Sequence, residues 1–258
     1  MVRIAAVGDN CIDVYEHGAY PGGNPVNVAV YTRRLGHQSA YIGAVGNDAY
    51  GTILLEALSK KEVDTSHVQV LEGNTATTQV TMIGQERILG DYDEGVFSQF
   101  TLSTDDKAFI QQFDLMVSGI WSRVENDLSD IHIPIAFDFA DKWDSPLWEK
   151  VLPEIQFAFY SDDTHPLEQV KAFMIHAQKQ GPEMIICTRG EHGSIAYDGQ
   201  QFYEYGIISC PVVDTMGAGD SYIAGFLCDY FEHHDIHHAM EAGAKNSAVT
   251  IAYHGAWT

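Results

Sequence analysis

Asp214-Thr215-Met216-Gly217-Ala218-Gly219-Asp220 is a run of small residues closed by a carboxylate, and its flanks decide how the rest of the chain reads. Upstream, Ile207 to Val213 is apolar and reads as a strand. Downstream, Ile223, Phe226, Leu227 and Tyr230 recur at helical spacing within Ser221 to Phe231. The seven residues are therefore expected at a strand-to-helix junction. Gly217, Ala218 and Gly219 carry no bulk, so a phosphate can approach their backbone N–H groups at the positive end of the helix dipole. A carboxylate beside a bound phosphate repels it, so the task that suits Asp220 is to take a proton from an attacking hydroxyl. The bland alternative is a glycine-rich turn with an Asp cap.

Outward from this junction, strand-like and helical stretches alternate almost throughout, which predicts an α/β sandwich with a mainly parallel sheet. Strands are expected over Val2 to Val7, Ala40 to Val45, Leu115 to Ser118, Ile133 to Phe139, Phe157 to Tyr160 and Met184 to Thr188. Helices are expected over Asn24 to Leu35, Tyr50 to Lys60, Leu167 to Lys179 and about His238 to Tyr253. One section breaks the rhythm. Thr75 to Ile83 alternates with period two and turns at Gly84-Gln85 into Arg87-Ile88-Leu89, a Thr-rich hairpin too polar for a core strand and better suited to a flap over a cleft.

The chain has 258 residues, 45% of them hydrophobic, enough for one large domain with a substantial core. It contains no run of about eighteen apolar residues that would cross a bilayer. The opening Met1 to Gly8 reads as a first strand rather than a signal sequence. Cys11, Cys187, Cys210 and Cys228 are scattered with no C-x-x-C pair, which fits a reducing cytoplasm. The net charge of −22, from 36 acidic against 14 basic residues, excludes broad nucleic-acid or anionic-membrane binding surfaces. A phosphate site must then be local, built from backbone amides, a divalent metal and a few cations, with Arg87, Lys142 and Arg189 the candidates.

In open α/β sheets ligands bind beyond the carboxyl ends of the strands. The first strand is followed by Asp9 and Asp13. Gly22-Gly23 then lead into a helix bearing Asn24 and Asn27, amides that suit sugar hydroxyls as well as they suit a cap and a solvated position. Thr188-Arg189-Gly190-Glu191-His192-Gly193 is another glycine-rich turn after an apolar strand. The histidines of His233 to His238 fall between two helices and read as a solvated loop rather than a metal site.

Gly22 to Asn27 and Asp214 to Asp220, in this order and separation, resemble the two signatures of the ribokinase-like carbohydrate kinases, the PfkB family. The likeness covers the whole chain, residues 1–258, as one kinase domain with a lid hairpin at about 75–90. It implies a three-layer α/β/α sandwich with a mainly parallel central sheet and a small, reduced β lid. It also implies ATP and Mg²⁺ as cofactors, no nucleic-acid or membrane partner, and a homodimer as one assembly open to the chain. Segments such as Gly90 to Val96, Phe137 to Trp148 and Tyr253 to Trp257 resemble members that phosphorylate the 6-hydroxyl of fructoselysine, the ketoamine of glucose and lysine. By the resemblance Asp220 is the base and Gly217, Ala218 and Gly219 form the anion hole. Asp9, Asp13, Gly22, Gly23, Asn27 and Arg87 belong to the sugar side. Lys142, Thr188, Gly190, Gly193, Ala244 and Ser247 belong to the nucleotide side. Asp214 and the Met216 carbonyl match a monovalent-cation site, usually potassium.

Two departures qualify the likeness. The N-x-x-E motif that organises magnesium in many relatives is absent from Tyr160 to Thr164, where Asp162 and Asp163 are the only acids. The segment between Asp13 and Gly22 is too short for the lid strands that relatives insert, so the lid is expected to consist mainly of the Thr75 to Leu89 hairpin and interlocked lids are disfavoured. Asp91, Asp93 and Glu94 are candidate partners for the substrate's lysine portion. Rival readings are another kinase of the family, such as a fructokinase or nucleoside kinase, and a sugar sensor without catalysis. A dinucleotide-dependent oxidoreductase is disfavoured because Gly8-Asp9-Asn10-Cys11 lacks the G-x-G-x-x-G fingerprint.

Overall fold

β1 (Arg3–Val7) is enclosed on both faces, with Ile4, Ala5, Ala6 and Val7 fully buried, which is why it reads as an unbroken apolar run. After it come β2 (Cys11–Tyr15), β3 (Gly18–Gly22), α1 (Asn24–Arg34), β4 (Gln38–Ile42), β5 (Ala44–Gly46), α2 (Ala49–Lys60) and β6 (Gln69–Leu71). The middle of the chain forms β7 (Thr77–Ile83), β8 (Glu86–Asp93), α3 (Thr104–Ile110), β9 (Leu115–Gly119), β10 (Ile135–Asp138), α4 (Trp148–Val151) and β11 (Phe157–Ser161). The remainder forms α5 (Leu167–Gln178), β12 (Met184–Thr188), β13 (Ser194–Tyr197), β14 (Phe202–Tyr205), α6 (Ala218–His233) and α7 (Ile236–Thr250). This computed structural model describes residues 1–16, 18–83 and 86–257, and of 82–83 and 86–89 the backbone only.

The central sheet has the order β14-β13-β12-β11-β10-β9-β1-β4. From β4 across to β12 every neighbouring pair is parallel, and β13 and β14 close the far edge antiparallel. α1, α6 and α7 cover one face through Val28, Tyr31, Phe226, Leu227 and Met240. α3, α4 and α5 cover the other through Ile110, Val151, Val170 and Met174. Each such fully buried side chain contributes roughly 1.5–3 kcal/mol of transfer free energy. Among the described residues no helix is long and apolar enough to cross a membrane.

A second sheet, β3-β2-β7-β8, forms the lid. The hairpin expected to make most of the lid supplies two of its four strands, β7 and β8, and β2 and β3 supply the others. The short segment around Asp13 suffices because Asp13 itself lies in β2, which pairs antiparallel with β3 and parallel with β7. The Gly84-Gln85 turn of the hairpin lies outside the described residues.

Two expectations are corrected. Ala40 to Val45 is not one strand: it breaks at Gly43, β4 stays in the central sheet, and β5 leaves to pair with β6. Ile207 to Val213 is not a strand at all. Ile207, Val212 and Val213 are 59%, 66% and 44% exposed, and the segment is held by Val213 N–H and Asp214 N–H donating to the Ile251 carbonyl at 2.8 and 3.2 Å. Apolar β-branched residues mimic a strand in sequence, but with no neighbouring strand the segment stays irregular.

Candidate active site

Asp9 follows β1, Asp138 ends β10 and Thr188 ends β12, so the carboxyl ends of the parallel strands open into one crevice beneath the lid. The crevice has a volume of about 560 Å³. Asp9, Asp13, Gly22, Gly23, Asn27, Thr188, Met216, Gly217, Gly219 and Asp220 all line it. The two sequence-remote signatures therefore meet.

α6 begins here because Gly217 takes the left-handed φ of 72° at its N-cap, where a Cβ would lie 2.2 Å from the Tyr31 hydroxyl. Gly219 is the opposite case: a Cβ would meet nothing within 4 Å, because that side of the first turn faces open space. The Ala218 N–H donates to the Thr215 carbonyl at 3.2 Å, so Gly217 and Gly219 are the cradle residues that face the crevice. Gly23, at φ 108°, precedes α1 where a Cβ would come 2.6 Å from Asn10 Cα. Only glycine lets the Asn24 and Asn27 turn pass so close to β1.

That turn aims two amides at one carboxylate. Asn24 Nδ2 donates to Asp220 Oδ1 and Asn27 Nδ2 to Asp220 Oδ2, each at 2.7 Å. Asn24 Nδ2 also donates to Asp138 Oδ2 at 2.9 Å, and Asn27 Oδ1 accepts from Trp257 Nε1 at 2.8 Å. Burial pushes the Asp220 carboxyl up to about 6 despite its amides from Asn27 and Asn24, with the charge on Asp9 adding to the rise. Burial, then the charge on Asp220, push Asp138 up to about 7. Asp9, buried beneath them, is raised by desolvation although Ser122 Oγ donates to it at 2.8 Å. Buried carboxyls raised toward neutrality suit proton transfer. The side-chain oxygens of Asn10 and Asn24 are buried and lack a partner among the described residues, and both residues line the crevice. They suit hydroxyl donors.

Other expected residues lie outside this constellation. Lys142 is half-exposed, pairs with Asp141 at 2.7 Å and does not line the crevice. Gly190 and Gly193 shape the turn after β12 at φ 53° and 82°. Ala244 and Ser247 lie on α7, with Ser247 Oγ donating to the Ala218 carbonyl at 2.7 Å, which ties α7 to the first turn of α6. Asp214 accepts from Met216 N–H at 2.9 Å and Gly255 N–H at 2.7 Å, joining the glycine turn to the C-terminal segment. Asp162 accepts from Thr164 and His165 N–H, and these bonds outweigh its burial and hold it below the usual range. The side chain of Arg87 lies outside the described residues. Asp93 accepts from Gly95 N–H and Glu94 pairs with Arg123, while Gly90 and Tyr92 are the β8 residues that line the crevice. With side chains alternating along a strand, Asp91 and Asp93 face away from it. The surface histidines His233 and His238 pair with Asp229 at 3.2 and 2.8 Å, far along α6 from the crevice.

Sequence reasoning missed Asp138, although it follows an apolar strand just as Asp9 does. It also missed Tyr92 and Trp121.

Residues 8–258 match the sequence profile described as pfkB family carbohydrate kinase. The chain belongs to the pfkB family. This kinase is 45% identical to the fructoselysine 6-kinase of Shigella flexneri, over 100% of both chains. It is 35% identical to a fructosamine kinase of Bacillus subtilis, covering 99% of this chain and 93% of that one. Its fold matches the ribokinase of Arabidopsis thaliana complexed with ribose and ATP, with a TM-score of 0.89, 19% identity and coverage of 98% and 94%. The carbohydrate kinase is thus a ribokinase-like α/β protein with a separate lid sheet.

Proposed function

We propose that this kinase transfers the γ-phosphoryl group of ATP to the 6-hydroxyl of fructoselysine. The observation that carries the reading is Asp220, held by two amides beside the glycine turn at the start of α6. Full-length similarity to fructoselysine 6-kinases supports the acceptor. The sugar would lie on Asp9, Asp13, Gly22, Gly23 and Asn27, with hydroxyls donating to the orphaned oxygens of Asn10 and Asn24. A carboxylate that titrates near 6 is mostly ionised at pH 7, yet basic enough to accept the hydroxyl proton as attack proceeds. The cradle at Gly217 to Gly219 would meet the charge on the transferred group, where positioning and electrostatics dominate. Thr188, Gly190, Gly193, Ala244 and Ser247 remain our nucleotide-side assignment, Arg87 our sugar-side cation, and Lys142 would reach the phosphates only by leaving Asp141. Closure of the lid would keep water out.

Magnesium fits the acids present. Asp138 and Asp220 both line the crevice and meet at the Asn24 amide, so carboxylate oxygens of the kind a hard cation takes converge there. Bound with ATP, it would neutralise phosphate charge. A carboxylate and a carbonyl at Asp214 and Met216 are likewise oxygen donors suited to K⁺. ATP supply and four unpaired cysteines support a cytoplasmic setting. A homodimer is proposed on the family resemblance alone, and light scattering tests it. A coupled ADP assay over fructoselysine, fructose, ribose and a nucleoside tests the whole reading. Preference for fructoselysine is expected, and comparable use of fructose would replace it with a fructokinase.

A further inference from the structure

The crevice mouth carries a feature that phosphoryl transfer does not use. Trp121 and Tyr92 line the crevice yet are 51% and 50% exposed, an unusual outlay of aromatic surface. They come from different layers: Tyr92 from lid strand β8, Trp121 from the loop after β9. Between Trp121 and Arg123, Ser122 Oγ donates to Asp9 on the crevice floor, which fixes this loop against the sugar side. Arg123 sits at φ 58°, a strained conformation for a non-glycine residue, and reaches Glu94 with Nε at 2.5 Å and Nη2 at 2.8 Å. That pairing uses the side edge of the guanidinium and leaves its Nη1–Nη2 edge turned from Glu94. Glu94 and Arg123 each stand two residues beyond a crevice-lining aromatic, Tyr92 and Trp121, so their pairing bridges the lid and the β9 loop just outside the crevice lining, at its mouth.

A hexulose whose 6-hydroxyl faces Asp220 must point its C1 substituent away from the floor. For the ketoamine of glucose and lysine that substituent is an aliphatic amine ending in an α-carboxylate and an α-ammonium. In a chain of net charge −22, with Asp9, Asp13, Asp138 and Asp220 around the crevice, a substrate carboxylate needs a local cation. Arg123 supplies one, and Glu94 beside it supplies an acceptor for the ammonium.

We propose that the mouth is an amino-acid subsite in which Trp121 and Tyr92 flank the aliphatic chain and the Arg123–Glu94 pair reads the α-carboxylate and α-ammonium. The inference rests on the ketoamine reading and narrows it: the substrate is the adduct of a free amino acid, not of a lysine within a peptide. An exposed ion pair of this kind is commonly a mere tether between layers, so the test must separate reading from tethering.

The experiment measures kcat/KM for four acceptors: fructosyl-lysine with free α-groups, the same adduct acetylated and amidated at the α-groups, fructosyl-butylamine, and fructose. The wild type is expected to favour the free adduct over the blocked one and over the butylamine by about 10- to 100-fold, the worth of a charge-assisted contact. Arg123→Gln should abolish that preference and leave fructosyl-butylamine within about twofold of wild type; Trp121→Ala should lower all three ketoamines but not fructose. A wild type that uses free and blocked adducts equally overturns the subsite alone, as does an Arg123→Gln loss shared by all acceptors. A wild type that phosphorylates fructose but no ketoamine overturns the acceptor assignment itself.

Discussion

Replacing Asn27 with Ala removes one of the two amides that hold the Asp220 carboxylate, and the effect on activity follows from its titration. The lost bond, 2.7 Å to Asp220 Oδ2, stabilises the ionised form. A hydrogen bond to a charged group has a net worth of about 1.5–3 kcal/mol, and 1.36 kcal/mol moves a pKa by one unit. The carboxyl, now at about 6, should therefore rise to roughly 7–8. The sign is that of an acid whose charged form loses a partner: the base is protonated at higher pH than before. At pH 7 the ionised fraction would fall from roughly nine-tenths to between about one-half and one-tenth. A pH profile of kcat/KM reads this as an acidic limb displaced upward by about one to two units, with recovery at pH 9. A uniform loss of sugar affinity would scale the whole profile without moving the limb. An unmoved limb in Asn27→Ala would refute the claim that these amides tune Asp220.

The two glycines of the cradle should behave in opposite ways. Gly217→Ala forces a left-handed φ on alanine and drives a methyl to 2.2 Å from the Tyr31 hydroxyl, so a stability loss of about 1–3 kcal/mol is expected by thermal unfolding. Gly219→Ala meets no protein atom, so its Tm should stay near wild type while the KM for ATP rises, and a normal KM would move the phosphate elsewhere. Chelation of divalent cations should abolish turnover reversibly, with Mg²⁺ restoring it; activity surviving in chelator would contradict the reading of the paired acids. Exchanging K⁺ for tetramethylammonium should reduce kcat if Asp214 and Met216 hold a monovalent cation, and equal rates in both would remove that site.

The alternation of elements and both signatures were legible in the sequence because period and glycine placement are local. What failed was non-local. Ile207 to Val213 has a strand's composition but no strand to pair with, and whether a partner exists cannot be read from a segment itself. The lid strands β2 and β3 are not legible because Asp13 reads as a residue after a strand, whereas the chain folds it into one. Asp220 was legible from the glycines before it. Asp138 was not, since its significance lies in sharing the Asn24 amide with Asp220, a contact across 114 residues on one side and 196 on the other. Lys142, chosen for its charge, pairs instead with its neighbour Asp141.

Asp220→Asn decides the account most directly, because it keeps the shape of the crevice and removes only the proton acceptor. Turnover with fructoselysine should fall about 10²- to 10⁴-fold while ATP affinity, measured by calorimetry, stays within a few-fold of wild type. Near-normal turnover in that variant would mean that the hydroxyl proton leaves by another route.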